Sequence, residues 1–234
     1  MNGLGQQVSD VRSAKNSRRA LIGRMAVGMA HEIRNPLTVI KGYLQLRQKK
    51  SAYCAGESLG IVFQELQRIE VLISNIISLA QNKAIKKKPE NINHILEGMY
   101  PTIQRAVADN GIMSELLLED NLPMLNVNAA EIEQMVLNLV WNSIEAMPMG
   151  GTLRIGTCRQ SGSVRLYVQD EGSGIPAEHQ EQIFDPFYTT KSEHTGLGLA
   201  ICLSIVERHQ GEIEVRSSLG AGSRFTVLFP VEEL

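Results

Sequence analysis

The sequence predicts an α + α/β architecture in two domains, a long helical hairpin followed by an α+β sandwich. Three observations support this reading. The chain has 234 residues, and compact domains usually run to about 100–200 residues. Its first third repeats apolar residues at steps of three and four, the spacing of a helix face. Its remainder alternates short period-two runs with helical stretches, the texture of strands layered under helices. The change falls near Lys86-Lys87-Lys88-Pro89, which divides the chain into a linker over 1–19, the hairpin over 20–84, a hinge over 85–90 and the sandwich over 91–234.

In chain order, Leu21, Met25, Met29, Ile33, Leu37, Ile40 and Leu44 form one stripe of a long helix. The polar stretch from Lys49 to Glu57, with Gly56, interrupts it. Val62, Leu66, Ile69, Ile73, Ile76 and Ala80 then follow a strict alternation of four and three, a coiled-coil seam. Two such helices cannot cover each other's apolar faces along their whole length, so a homodimeric four-helix bundle is the economical arrangement. The alternative is that both stripes pack on the C-terminal half. Downstream, 91–110 reads as a helix, Glu115 to Glu119 as a short strand, and Ala129 to Met147 as an apolar helix closed by Pro148-Met149-Gly150-Gly151. Leu153, Ile155 and Thr157, then Val164, Leu166 and Val168, predict two antiparallel strands around Gln160-Ser161-Gly162. A glycine-rich loop over 171–198, a helix to His209, and strands at Ile213 and Val215 and at Phe225, Val227 and Phe229 complete the sandwich.

Composition narrows the function. Lys plus Arg number 23 against 25 Asp plus Glu, a balance that argues against a nucleic-acid-coating surface. Cys54, Cys158 and Cys202 lie far apart without CxxC spacing, so neither a disulfide framework nor a zinc site is indicated and a reducing compartment is expected. The uncharged stretch from Val71 to Asn82 falls short of the ~20 apolar residues of a membrane span, and residues 1–19 have no apolar signal region. The chain reads as cytoplasmic. Residues 1–19 carry Arg12, Lys15, Arg18 and Arg19 against Asp10 alone, which suits either a solvated helix start or a segment following a membrane anchor in a longer parent.

Four segments carry candidate chemistry. His31 lies about 180° from the midpoint of Met29 and Ile33 and faces water. In His31-Glu32-Ile33-Arg34-Asn35-Pro36 the proline removes a backbone hydrogen bond one turn beyond the histidine, so an imidazole beside a carboxylate sits on a bent helix, a suitable nucleophile. Asn138 and Asn142, four apart, share one face of an apolar helix; their carboxamides suit either Mg²⁺ or hydrogen bonding from helix to sheet. Asp170-Glu171-Gly172-Ser173-Gly174-Ile175-Pro176 offers an acceptor at a strand end and two glycines that allow close approach of a ligand. Thr195-Gly196-Leu197-Gly198 opens a helix whose free N–H groups suit a phosphate. Before it, the segment from Ile183 through Lys191 to Ser192-Glu193-His194 reads as a lid with Lys191 reaching the phosphates.

His-Glu-x-x-Asn-Pro, Asn-x-x-x-Asn, Asp-x-Gly-x-Gly-Ile-Pro, Phe-x-Pro-Phe and Gly-x-Gly-Leu, in that order, resemble the transmitter core of bacterial sensor histidine kinases over residues 20–232. The resemblance implies a dimerisation and phosphotransfer hairpin followed by a Bergerat-type ATP-binding sandwich of the kind found in gyrase. It implies His31 as phosphoacceptor, Glu32 as its orienting group and proton acceptor, and Asn35 as a residue that places water for dephosphorylating the partner regulator. It assigns Mg²⁺ to Asn142 with support from Asn138, the adenine amino group to Asp170, the base pocket to Gly172 and Gly174, and the lid and phosphates to Thr190, Lys191, Gly196 and Gly198. Trp141 stands where the family often has a basic residue, and His194 where a glycine often precedes Thr195. The segment from His31 to Leu46 looks most like the sporulation-type kinases, which implies a single-domain response regulator as acceptor and small inhibitor proteins on the helical stem as further partners. A scaffold with a decayed ATP domain is the alternative. His94, His179 and His209 read as structural or surface residues.

Overall fold

The computed structural model describes residues 33–45, 55–80, 85–160, 162–191 and 195–231. They divide into two compact units between Asn82 and Lys83. In the first, residues 33–45 are helical (α1) and Ala55–Ala80 forms α2. Pro36 is buried within α1, and Thr38 Oγ1 donates to the Arg34 carbonyl at 2.8 Å, a local bond of the kind that bends helices. Helix α2 starts inside the polar stretch expected to interrupt the pattern. A first turn has no intrahelical acceptor for its N–H groups and favours an acid such as Glu57, so polarity there does not break the helix. Leu72 and Ile76 are buried, whereas the seam residues Leu66 and Ile73 are 43% exposed and Phe63 is 64% exposed.

The second unit comprises β1 (Lys88–Glu90), α3 (Ile92–Ala108), β2 (Ile112–Leu117), β3 (Leu125–Val127), α4 (Ala129–Ala146), β4 (Gly151–Gln160), β5 (Ser163–Gln169), α5 (Ala177–Gln180), α6 (Gly198–Arg208), β6 (Glu212–Ser218) and β7 (Gly222–Pro230). The main sheet runs β2-β4-β5-β7-β6, with β2 parallel to β4 and every other pair antiparallel. Helix α4 packs against both α3 and α6, and all three meet the sheet, through a core that includes Ile132, Met135, Val136, Leu139, Leu153, Ile155, Leu166, Ile205, Val227 and Phe229. Burial alternates along β5, as its period-two sequence predicts.

Three boundaries differ from the expectation. Strand β2 starts at Ile112 and stops at Leu117, because Gly111 at φ 70° reverses the chain directly after α3. Strand β1 takes up the second half of the segment expected to be a hinge. It pairs Lys88, Pro89 and Glu90 with Val127, Asn126 and Leu125, and three residues with a central proline carry no period-two signal. Within the glycine-rich loop, α5 is a single turn too short to show a helical repeat.

Asn128 sits at the junction of these elements. Its Oδ1 caps α4 by accepting from Glu131 N at 3.1 Å, and its Nδ2 donates to the Lys86 carbonyl at 3.0 Å. Its backbone N–H donates to His209 Nε2 at 3.0 Å, and His209 Nδ1 lies 2.8 Å from the Ile205 carbonyl. These contacts require the neutral ring with the proton on Nδ1, and burial keeps the His209 pKa below its ordinary value. His209 is therefore a buried structural residue.

Candidate functional site

The site is built around α4, and Asp170 is its most deeply set group. It follows β5 and is 3% exposed. Oδ1 accepts from the N–H groups of Gly172 at 2.9 Å and Ser223 at 3.1 Å, and Oδ2 accepts from Ser143 Oγ at 3.3 Å. Its own N–H donates to the Ser223 carbonyl at 2.9 Å, which ties the strand end to β7. Burial raises the Asp170 pKa above its ordinary value, and the hydrogen bonds from Gly172, Ser223 and Ser143, with the charge of Lys191, oppose that rise.

The loop after Asp170 is fastened to the last turn of α4 by the bond from Ser173 N to the Ala146 carbonyl, 3.0 Å. Gly174 at φ 71° lies so close to the Ser218 carbonyl that a Cβ would stand 2.0 Å from its oxygen. Gly222 at φ 84° is pressed on the Asp170 carbonyl, where a Cβ would stand 2.1 Å away. Ser143, Gly222 and Ser223 thus belong to the site, although sequence reasoning passed over them. The Gly220-Ala221-Gly222-Ser223 turn carried a glycine signal, but nothing local joined it to Asp170, 53 residues upstream of Ser223.

Asn138, Asn142 and Glu145 recur along α4 at steps of four and three, so they share one face. Asn138 Nδ2 donates to the Gly198 carbonyl at 3.4 Å, and the Asn138 side chain also meets the Cys202 thiol, which burial pushes up to about 12. Asn138 is bonded from helix to helix, whereas the alternative considered from sequence was a bond from helix to sheet. Asn142 is different: its Nδ2 is buried and has no hydrogen-bond partner among the described residues. Buried amides are ordinarily bonded, so an orphan beside Ser143 points to a missing ligand. Among the described residues no group of three or more His, Cys, Asp or Glu is arranged to hold a metal ion by itself.

Helix α6 begins at Gly198 with no side-chain cap, which leaves its first N–H groups available to an anion. A Cβ on Gly198 would meet nothing within 4 Å, so the open space there lies beside those donors. The Gly196 carbonyl accepts from Phe187 N at 3.0 Å and ties the start of α6 to the segment expected to act as a lid. Tyr188 Oη and His179 Nδ1, 2.5 Å apart, join that segment to α5. Thr190 and Lys191 are exposed, and Lys191 Nζ is 2.7 Å from Glu145 Oε2. The lysine expected to reach a phosphate is therefore paired with a carboxylate of α4 in this state.

Of the residues singled out from sequence, Asn138, Asn142, Asp170, Gly172, Gly174, Lys191, Gly196 and Gly198 belong to α4 or to segments joined to it. Asn35 is exposed on α1 in the other unit. His31, Glu32 and His194 lie outside the described residues.

Comparison with known proteins agrees with this arrangement. Residues 21–85 match the His Kinase A (phospho-acceptor) domain, and residues 127–233 match the histidine kinase-, DNA gyrase B- and HSP90-like ATPase family. Sporulation kinase C of Bacillus subtilis is 35% identical over 231 residues, covering 97% of this chain and 53% of the relative. Sporulation kinase A of the same organism is 38% identical over 218 residues, covering 92% and 36%. The solved structure of histidine kinase ThkA in complex with the response regulator protein TrrA superposes with a TM-score of 0.77 at 27% identity, covering 95% of this chain and 65% of that one. The chain spans about half or less of the length of these two curated relatives. With a phosphoacceptor hairpin and an ATPase sandwich matched in the same order as the two units of the fold, the chain belongs to the histidine kinase family.

Proposed function

We propose that this chain transfers the γ-phosphoryl group of ATP to His31 and then to an aspartate of a response regulator receiver domain, in two-component or phosphorelay signalling of the sporulation type. The observation that carries this reading is Asn142, whose buried Nδ2 has no hydrogen-bond partner among the described residues and would donate to a phosphate oxygen, on the helix whose Asn138 bonds Gly198 and whose Ser143 bonds Asp170. Asp170 accepts the adenine amino group, with Gly172 and Gly174 forming the floor under the base. The first N–H groups of α6, after Gly196 and Gly198, face the phosphates, and Thr190 and Lys191 lie over them. Asn142 through its Oδ1, supported by Asn138, would hold Mg²⁺, which would offset phosphate charge.

His31 attacks through a ring nitrogen. An N–P bond forms as the bond from the γ-phosphorus to its bridging oxygen breaks, ADP leaves, and Glu32 takes the ring proton. Phosphoryl transfer asks the protein mainly for positioning and charge, both of which this set of residues supplies. Asn35, four residues on from His31 in the sequence, places water for the reverse discharge of the regulator. The hinge is proposed at the start of 85–90, ahead of β1.

A homodimer is proposed because Phe63, Leu66, Ile73 and Ile77 are exposed along α2 in the single chain. A response regulator is proposed as partner because ThkA, the related kinase, was solved with one. Small inhibitor proteins on the helical stem are a further proposed partner class. Among the described residues no helix is long and apolar enough to cross a membrane.

Incubation with γ-labelled ATP and Mg²⁺ tests the reading. Acid-labile label that disappears in His31→Gln is expected. Label that survives acid would mean transfer to a hydroxyl, and no label on a chain that still dimerises would mean a scaffold.

A further inference from the structure

We infer that Ser217 is a positioning residue for recognition of the base: its hydroxyl joins the two segments that aim the Asp170 carboxylate, and selectivity for an amino-bearing purine depends on it. The inference rests on the nucleotide-site reading above, in which Asp170 accepts the adenine amino group.

Ser217 lies near the end of β6, directly opposite Ser223 of β7. With a period of two, Ser223 shares a sheet face with the buried Phe225 and Val227, and Ser217 lies at the end of the same face. Three groups meet its hydroxyl. Ile175 N donates to Ser217 Oγ at 2.7 Å, the Gly222 carbonyl lies at 2.9 Å, and Ser223 Oγ lies at 3.0 Å. A hydroxyl has one proton, the Ile175 N–H can only donate and the Gly222 carbonyl can only accept. The Ser217 proton therefore goes to Gly222, and Ser223 Oγ donates to Ser217.

Both segments joined in this way bear on Asp170. Ser223 N donates to Asp170 Oδ1 at 3.1 Å, and the Ser223 carbonyl accepts from Asp170 N at 2.9 Å. Ile175 ends the loop whose Gly172 N donates to the same Oδ1 at 2.9 Å. The two backbone donors on Oδ1 thus come from different segments, and the Ser217 hydroxyl ties those segments to each other. Gln180 Nε2 supports the tie by donating to the carbonyls of Ile175 at 2.9 Å and Ser217 at 3.0 Å. A backbone bond from Gly220 N to the Ser173 carbonyl, 2.7 Å, joins the same region, so loss of the hydroxyl loosens the site without opening it. Hydrogen bonds weaken steeply with misalignment. A loosened carboxylate therefore reads an amino group less well, whereas a base with an oxygen at that place has little to lose.

The test is equilibrium binding of ATP, ADP and inosine triphosphate, by calorimetry with excess Mg²⁺, to the full chain and to Ser217→Ala, Ser217→Thr and Gln180→Ala. Unliganded thermal melts check that the variants fold. The wild-type chain is expected to favour ATP over inosine triphosphate, which carries an oxygen in place of the amino group. Ser217→Ala should weaken ATP and ADP by the same factor, about tenfold, and narrow the preference over inosine triphosphate by nearly as much. A loss of stability alone would leave that ratio unchanged. Ser217→Thr keeps the hydroxyl and should restore the preference. Gln180→Ala should narrow it by about threefold, and this variant carries the test where Ser217→Ala does not fold. An unchanged preference in the variant that carries the test, or equal narrowing in Ser217→Thr and Ser217→Ala, overturns the inference and leaves the nucleotide site standing. A wild-type chain that binds ATP and inosine triphosphate equally removes the amino-group role of Asp170 and the inference with it. One that binds no nucleotide overturns the nucleotide-site reading as a whole.

Discussion

The two ends of the site on α4 are built on opposite plans. At one end Asp170 is buried and held by three protein donors, Gly172, Ser223 and Ser143, and the loop beside it is too tight at Gly174 and Gly222 for any Cβ. At the other end Thr190 and Lys191 are exposed, Gly198 borders open space, and the buried Nδ2 of Asn142 has no partner among the described residues. In the proposed nucleotide site the Asp170 end, assigned to the base, is preorganised, so its geometry costs little to reach on binding. The end assigned to the phosphates would be completed by the ligand, which suits a step in which the phosphoryl group must leave. On that proposal specificity is stored where nothing reacts, and adjustability is kept where bonds change.

The sharpest way to break this comparison is Asn142→Ala. Catalysis should fall by about 10³-fold or more, as expected when a group that positions the metal is lost. Thermal stability should hold or rise slightly, because the substitution removes a buried orphan amide. Autophosphorylation and calorimetric melts on the same samples check this. A large stability loss would place Asn142 in the framework instead.

Asp170→Asn should behave otherwise. Its carboxamide keeps one acceptor oxygen, so either the Gly172 and Ser223 donors or the adenine amino group must face an NH2, a loss of about 2–4 kcal/mol or roughly 30-fold to 1,000-fold in ATP affinity. Stability should change as well, which the Asn142 variant does not predict.

Next in size is Gly174→Ala, placed at positive φ against the Ser218 carbonyl. A destabilisation of about 1–3 kcal/mol is expected from strain alone, with nucleotide affinity falling as the loop lifts. Denaturant titration with and without ATP separates the two effects.

A smaller effect concerns pH. The folded-state pKa of Asp170 is raised by burial, so the folded state binds this proton more readily than the unfolded chain. Its penalty on stability is present above the raised pKa and is relieved as pH falls through it. Nucleotide affinity should move the other way, weakening on acidification at a pH above that of an ordinary aspartate. Affinity and unliganded stability measured across the same acid range should therefore diverge, and Asp170→Asn should abolish the divergence. Smallest of all is Ser143→Ala, where a 3.3 Å bond is lost and affinity should fall by about twofold to tenfold.

Much of this plan was legible in the sequence, for reasons that differ between the two ends. Helix α4, strands β4 and β5 and helix α6 followed from period and caps, because each signal lies within a dozen or so residues. Asp170 with its two glycines was readable as a turn at a strand end. Ser223 was not, since it reaches Asp170 only through the pairing of β5 with β7. The Lys191–Glu145 pair was also hidden, because a lysine beyond Phe-x-Pro-Phe reads as a phosphate ligand and its partner lies 46 residues earlier. Strand β1 escaped because three residues around a proline carry no repeat. What remained unreadable was either an element too short to show a repeat or a partner distant along the chain.

The Asn128 junction has a mechanical consequence. This one residue grips the incoming chain at the Lys86 carbonyl, the first turn of α4 through Glu131, and the end of α6 through His209. Asn142 lies 14 residues further along the same helix, about 21 Å at 1.5 Å per residue. A displacement of the chain at Lys86 must therefore either break the Asn128 contacts or shift the start of α4 and the end of α6 with it, and α4 is the helix that carries Asn142.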